Sequence, residues 1–271
     1  MENIRQAVER AKAQNGPQNG AGLAVPTRRA NAFGAARESK SQTEDLELDL
    51  TYLQSRRIVA YDGKDVRSRS FDLLRAEVLR SMDLKGWRIL AVTSPTPGCG
   101  KTLVATNLAF SIGRQPERQV CLVDLDLRKP QLATSLGLKS TEGLLDVIEA
   151  RIEINDGMIR ARAGQSRLEV LPTLATSNAS DIVDSTAMAQ VLRNVAQYGQ
   201  SKLIILDLPP LLTGHDGISI LPHVDCALLV AAAGHSKISE IEECEKHLES
   251  TDVVRFVLNK APGSATSYAY Y

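Results

Sequence analysis

The sequence has little cysteine, no excess charge of either sign and no long apolar run. Its four cysteines, Cys99, Cys121, Cys226 and Cys244, form no C-x-x-C pair in 271 residues. That argues against a disulfide framework or a cysteine zinc site, and fits a reducing cytosol. Cys121 and Cys226 sit in apolar runs and read as small core residues. Lys and Arg number 32, Asp and Glu also 32, so bulk charge gives no reason to expect a nucleic-acid or anionic-membrane binder. The longest strongly apolar run, CALLVAAAG, is far short of the ~20 residues of a membrane helix. The beginning MENIRQAVERAKAQNG is charged where a signal peptide would be apolar. The expectation is a chain that reaches a membrane only through a partner. His215, His223, His235 and His247 show no metal-ligand spacing and read as surface or turn residues.

What is present alternates. Ile4, Val8 and Ala11 predict a short helix over 1–14. Residues 15–56 read as a flexible linker and arm, polar and glycine-containing up to residue 43. A domain is expected over 57–262, and a loose tyrosine-rich tail over 263–271. Phe71, Leu74, Val78 and Met82 have helical spacing. WRILAVTS, VCLVDLD, LEVLP, KLIILDL, CALLVAAA and VVRFVLN read as strands apolar on both faces, as a covered parallel sheet requires. Helical stripes lie between several of them: Val104, Leu108 and Ile112, ending at Gly113; Met188, Leu192 and Val195; Ile238, Ile241 and Leu248. The fold class is therefore α/β, a doubly wound and mostly parallel sheet with helices on both faces.

The first strand runs into PTPGCGKT, and a helix follows. In that context the glycines let backbone N–H groups turn inward around phosphate oxygens, and the helix directs its positive end at the same point. Pro97, Gly98, Cys99, Gly100, Lys101, Thr102 and Leu103 are the expected nucleotide-binding residues. Lys101 is expected to neutralise the β- and γ-phosphates, and Thr102 to offer its hydroxyl to Mg²⁺. Pro95 stands where the strict P-loop pattern has its first glycine. Asp124 and Asp126 close the next strand and Asp207 closes another, at the end of an open sheet where ligands bind. Asn259 and Lys260 follow the last strand, where a base-reading loop is expected. Pro262 replaces the acid of a guanine motif, which favours adenine. Cys99 reads as exposed in its loop, a passive small residue in the first reading and a site where oxidation would disturb nucleotide binding in the second.

Three motifs, PGCGKT (97–102), VDLDLRKP (123–130) and DLPP (207–210), together resemble the bacterial tyrosine kinases of capsule and exopolysaccharide systems. The resemblance spans about 57–260 and is similar to the stand-alone cytoplasmic form of that family. It implies an ATP-dependent protein-tyrosine autokinase that regulates polysaccharide polymerisation and export, with ATP and Mg²⁺ as cofactors. Lys101, Asp124, Asp126 and Asp207 would be catalytic; Thr102, Asp124 and Asp207 would hold the metal. Asp126 would sit near the tyrosine hydroxyl, and Asp216 would support the metal site or cap a helix. Tyr268, Tyr270 and Tyr271, in the last four residues, would be the autophosphorylated cluster. An inner-membrane polysaccharide co-polymerase would recruit and activate the chain, which would form a homo-oligomer, stay peripheral at that membrane and bind no nucleic acid. The family's ring-forming E-x-x-R-x-x-R matches RSFDLLR (69–75) at Arg75 alone, with Arg69 and Asp72 departing from it. Two rival readings are a ParA/MinD-like positioning ATPase and a catalytically idle nucleotide-binding scaffold. The first lacks its second P-loop lysine, replaced here by Thr96.

Overall fold

In the computed structural model, residues 45–140, 142–197 and 202–262 are described. The short helix expected over 1–14, the linker up to residue 44, and the tyrosine cluster lie outside them.

One eight-stranded sheet organises the chain. In sequence order the strands are β1 (Leu46–Glu47), β2 (Ile89–Thr93), β3 (Gln119–Asp124), β4 (Ile159–Ala163), β5 (Ser166–Leu171), β6 (Lys202–Asp207), β7 (Cys226–Ala232) and β8 (Asp252–Asn259). Their spatial order is β1-β4-β5-β3-β6-β2-β7-β8. Every neighbouring pair is parallel except β4 and β5, a hairpin turned at Gly164. The six expected strands are all present. β1 and β4 carry no apolar-run signal: β4 reads IRARA, with its arginines outward and only its alanines inside.

The helices are α1 (Leu50–Ser55), α2 (Arg69–Lys85), α3 (Lys101–Gly113), α4 (Leu132–Leu136), α5 (Leu144–Ile148), α6 (Ile154–Gly157), α7 (Ala179–Val183), α8 (Thr186–Gln197), α9 (Asp216–Ile220) and α10 (Ile238–His247). Val78 and Met82 of α2 and Leu108, Phe110 and Ile112 of α3 pack into the core on one face of the sheet. Met188, Leu192 and Val195 of α8 and Cys244 of α10 fill the other. In α10 the inward residue is Cys244, whereas Ile238, expected on its apolar stripe, is exposed. Helix α3 is buried almost all round, as a helix apolar on every face must be. Its last residue, Gly113, is required by close approach: a Cβ there would stand 2.2 Å from the carbonyl oxygen of Arg167.

The arm is part of this domain rather than a linker. β1 pairs with β4, Leu48 and Leu53 are buried, and Asp49 caps α1 by accepting from Thr51 N and Tyr52 N. A domain boundary at residue 57 is therefore too late. Beyond α1 the chain crosses α3, where the fully buried Asn107 holds it. Asn107 Oδ1 accepts from Val59 N (2.9 Å) and Ala60 N (3.0 Å), while Nδ2 donates to the carbonyls of Arg57 (3.2 Å) and Leu103 (3.0 Å). A period-3.6 count treats Asn107 as a polar interruption. Here it satisfies an irregular strand of backbone that would otherwise be buried unpaired.

The positions matching the ring-forming motif are used inside the chain. Asp72 of α2 pairs with Arg114, accepts from Ser111 Oγ (2.6 Å) and lies 3.3 Å from Arg75. Arg75 donates to the carbonyl of Ser111 at 2.8 Å. Asp72 and Arg75 thus fasten α2 to α3.

Replacing Asn107 by Ala removes the acceptor of two buried N–H groups. The expected loss is about 3 kcal/mol of unfolding free energy, read from the urea midpoint at unchanged slope.

Candidate functional site

Strand β2 leaves the sheet between β6 and β7, and the loop that follows crosses the carboxyl end of the sheet. Its floor is knitted to the segment after β6. Thr93 Oγ1 donates to Pro209 O (2.9 Å), Leu211 N to Ser94 O (2.9 Å) and Leu212 N to Pro95 O (3.1 Å). The DLPP run thus clasps the base of the glycine loop. Gly98 (φ 83°) and Gly100 (φ 92°) both adopt left-handed backbone, and Gly100 is the N-cap of α3. Glycine supplies that conformation without steric cost, and the unpaired N–H groups and dipole of α3 then face one point.

Lys101 is buried at that point. Its ammonium lies 3.0 Å from Asp126 Oδ2, 3.4 Å from Asp207 Oδ1 and 3.4 Å from Thr102 Oγ1. Thr102 Oγ1 donates to Asp207 Oδ2 at 2.5 Å. Asp124 and Asp207 are register partners on adjacent strands, so the three acids and the lysine meet at one sheet edge. Asp124 and Asp207 are both fully buried, and Asp124 is held by backbone N–H groups. One of its oxygens accepts from Asp126 N (3.1 Å), the other from Gln131 N (3.1 Å) and Leu132 N (3.0 Å), at the start of α4.

The electrostatics follow from burial. Desolvation and then the negative charge of Asp207 push Asp124 up to about 7, against the opposing N–H of Leu132 and the charge of Lys101. Burial also raises Asp207, although Lys101 and Thr102 favour its charged form. Burial alone would lower Lys101. The carboxylates of Asp207, Asp126 and Asp124 outweigh it, and the net direction is upward. Asp126 Oδ1 accepts from Lys129 N (3.1 Å), which leaves this acid at the mouth of the cluster.

No group of three or more His, Cys, Asp or Glu surrounds a common metal centre among the described residues. The donor set fits Mg²⁺ all the same, because Mg²⁺ takes one or two carboxylates and fills the rest of its octahedron with phosphate oxygens and water. Thr102 and Asp207 supply adjacent oxygens beside the lysine, and Asp124 stands next to them in register.

One expectation is corrected. Cys99 is fully buried, with Sγ 3.4 Å from Ser236 Oγ, because the loop turns its side chain inward under the β7–α10 connection. Asp216 is tied to Arg128 (2.6 Å) and Ser180 (2.9 Å) at the start of α9, so it serves to anchor the DLDLR loop. Asn259 is close to the loop, but as a brace. Its Nδ2 donates to Cys99 O (2.8 Å), its Oδ1 accepts from Lys260 N (2.8 Å), and a Cβ on Gly100 would fall 2.3 Å from Nδ2. Sequence reading missed His235, whose Nε2 lies 3.1 Å from Pro97 O, and Ser236, whose Oγ accepts from Ala232 N (3.0 Å). A polar GHSK stretch directly after a fully apolar strand was the available signal. The tyrosines expected to be modified lie outside the described residues.

Comparison with known proteins agrees with this geometry. Residues 87–253 match the ParA family model, described as NUBPL iron-transfer P-loop NTPase. The putative tyrosine-protein kinase EpsB of Ralstonia nicotianae is 30% identical over 246 residues, 83% of this chain but 31% of that protein. The chain thus spans about a third of that relative's length. Tyrosine-protein kinase YwqD of Bacillus subtilis is 24% identical over 81% of this chain and 92% of its own. The kinase domain of Escherichia coli tyrosine kinase ETK superposes with a TM-score of 0.67 at 22% identity, covering 87% of this chain and 89% of that one. The chain belongs to the ParA-type P-loop NTPases, and the curated relatives reported above are named tyrosine-protein kinases.

Proposed function

We propose that the chain is an ATP-dependent protein-tyrosine autokinase acting in exopolysaccharide or capsule export. One observation carries the reading: a buried lysine, a threonine hydroxyl and three aspartates converge beside a loop whose Gly98 and Gly100 are left-handed at the start of α3. Phosphoryl transfer asks mainly for positioning and charge neutralisation, and this set is suited to both. Inward amides of 98–102 would cradle the β- and γ-phosphates, with Lys101 moving from Asp126 and Asp207 onto them. Thr102 and Asp207 would hold Mg²⁺, with Asp124 beside them; the ion supplies charge neutralisation at the phosphate oxygens. Asp126 would neighbour the metal or take the tyrosine proton as the phenolic oxygen bonds to the γ-phosphorus and the β–γ bridge breaks. Asn259 is at hand to contact the adenine as well as to hold the loop.

The tyrosines at 268, 270 and 271 are the proposed acceptors, in a neighbouring copy. An inner-membrane co-polymerase is the proposed activator, and peripheral association with that membrane would run through it. No helix among the described residues is long and apolar enough to cross a membrane. The ParA family match leaves one alternative, a positioning ATPase. Thr96 counts against it, because that class uses a lysine there to reach across a nucleotide-bound dimer.

Incubation of the full chain with Mg-ATP should yield an anti-phosphotyrosine signal. Lys101→Met should lower it by at least about a hundredfold, and a chain ending before Tyr268 should lose most of it. ATP hydrolysis without phosphotyrosine would instead establish the ATPase.

The raised Asp124 gives a pH test. A carboxyl held above its unfolded value binds its proton more tightly in the native state. Its stabilising contribution is complete below pH ~4 and is lost as pH rises through about 7. In Mg²⁺-free thermal melts, Asp124→Asn should therefore gain on the parent chain progressively from pH 5 to pH 8. A difference independent of pH would contradict the shift.

A further inference from the structure

A second charged site lies at the opposite end of the sheet. An open cavity of about 740 Å³ is bounded by the C-terminal end of α3, the starts of β3 and β6, and the outer face of the β4–β5 hairpin. Six cations line it: Arg114, Arg118, Arg160, Arg162, Arg167 and Lys202. The acids that line it are Asp45 and Glu169. Lys202 is paired with Glu169 (2.6 Å), Arg118 with Asp83 (2.7 Å) and Arg114 with Asp72, so the charge left facing the cavity is that of the hairpin arginines.

The hairpin register sharpens the point. Arg162 and Arg167 are direct cross-strand partners, and Arg160 lies on the same outward face. Like charges opposite one another destabilise a sheet unless an anion intervenes. Here the arm intervenes: Glu47 lies 2.7 Å from Arg162, and Asp45 lies 3.3 Å from Arg167. Both contacts are exposed pairs, and exposed pairs contribute little. Arg160 has a carboxylate only at 3.9 Å, so its five guanidinium donors are largely available.

We infer that this cavity binds a multiply charged phosphate-bearing group, with Asp45 and Glu47 as built-in competitors. Arginine forks match phosphate oxygens in pairs, and a phosphorylated tyrosine brings about −2 charge with three strong acceptors. If the autokinase reading holds, the phosphorylated 263–271 segment is one source of this chemistry. Free phosphoanions are the other source. The strand length that separates the cavity from Asp124 and Asp207 makes this site independent of the glycine loop.

The test uses the full chain with its glycine loop saturated by Mg-ADP. Three probes are titrated calorimetrically: a synthetic 263–271 peptide phosphorylated on Tyr268, Tyr270 and Tyr271, its unphosphorylated twin, and inorganic pyrophosphate. The expected result is binding at one site per chain that requires phosphate. It should weaken at least about tenfold in Arg160→Gln/Arg162→Gln and tighten about threefold in Asp45→Asn. Tighter binding of the phosphopeptide than of pyrophosphate assigns the tail as the source; the reverse order assigns free phosphate. Equal binding of the twin, indifference to the two arginines, or no binding of any probe overturns the inference. Because the phosphates are installed synthetically, such a failure leaves the kinase reading standing. A negative phosphotyrosine blot with positive binding would do the opposite.

Discussion

The structure turns on one buried cation. Lys101 is 8% exposed and touches carboxylates from two different strand ends. Neither charge sign would survive burial alone. The lysine would shed its proton, and the aspartates would take one up. Their mutual neutralisation is what allows β3 and β6 to end in acids inside a water-poor cleft. That arrangement leaves the acids in readiness for a cation of higher charge, and the lysine in readiness for an anion.

The surroundings hold this cluster from three directions. Below, Pro209 and the residues after it fasten the loop floor to β2. To the side, Asn259 holds the carbonyl of Cys99, and His235 lies against that of Pro97. Behind, α3 is gripped by Asn107 and by the Asp72–Arg114–Ser111 group. Each brace is a polar side chain that satisfies backbone or charge inside the fold. Their number reflects how much irregular chain a glycine loop leaves to be satisfied.

The central strands and the glycine loop were legible because their signals are local. Each is read from a dozen residues or fewer: the run of β2 with its glycine turn, and the runs of β3 and β6 with their own closing acids. What escaped reading depends on distant partners. The strand IRARA has two arginines in five residues and becomes a strand only because β5 and the arm flank it. Asn107 looks like a defect in an apolar helix until the chain from Arg57 to Ala60 arrives beside it. Cys99 looked exposed because loops usually are, but the β7–α10 connection covers it. For Asp216 the motif left metal support and a helix cap open, and only the fold reveals its partner Arg128.

The capture of the arm has a consequence for where an autonomous folding unit can start. A fragment begun at the apparent boundary of residue 57 would keep every motif residue. It would also uncover the apolar seats of Leu48 and Leu53 and expose the flank of β4. Such a fragment would carry a sticky border prone to self-association, and the smallest well-behaved kernel has to include the acidic DLELDL segment.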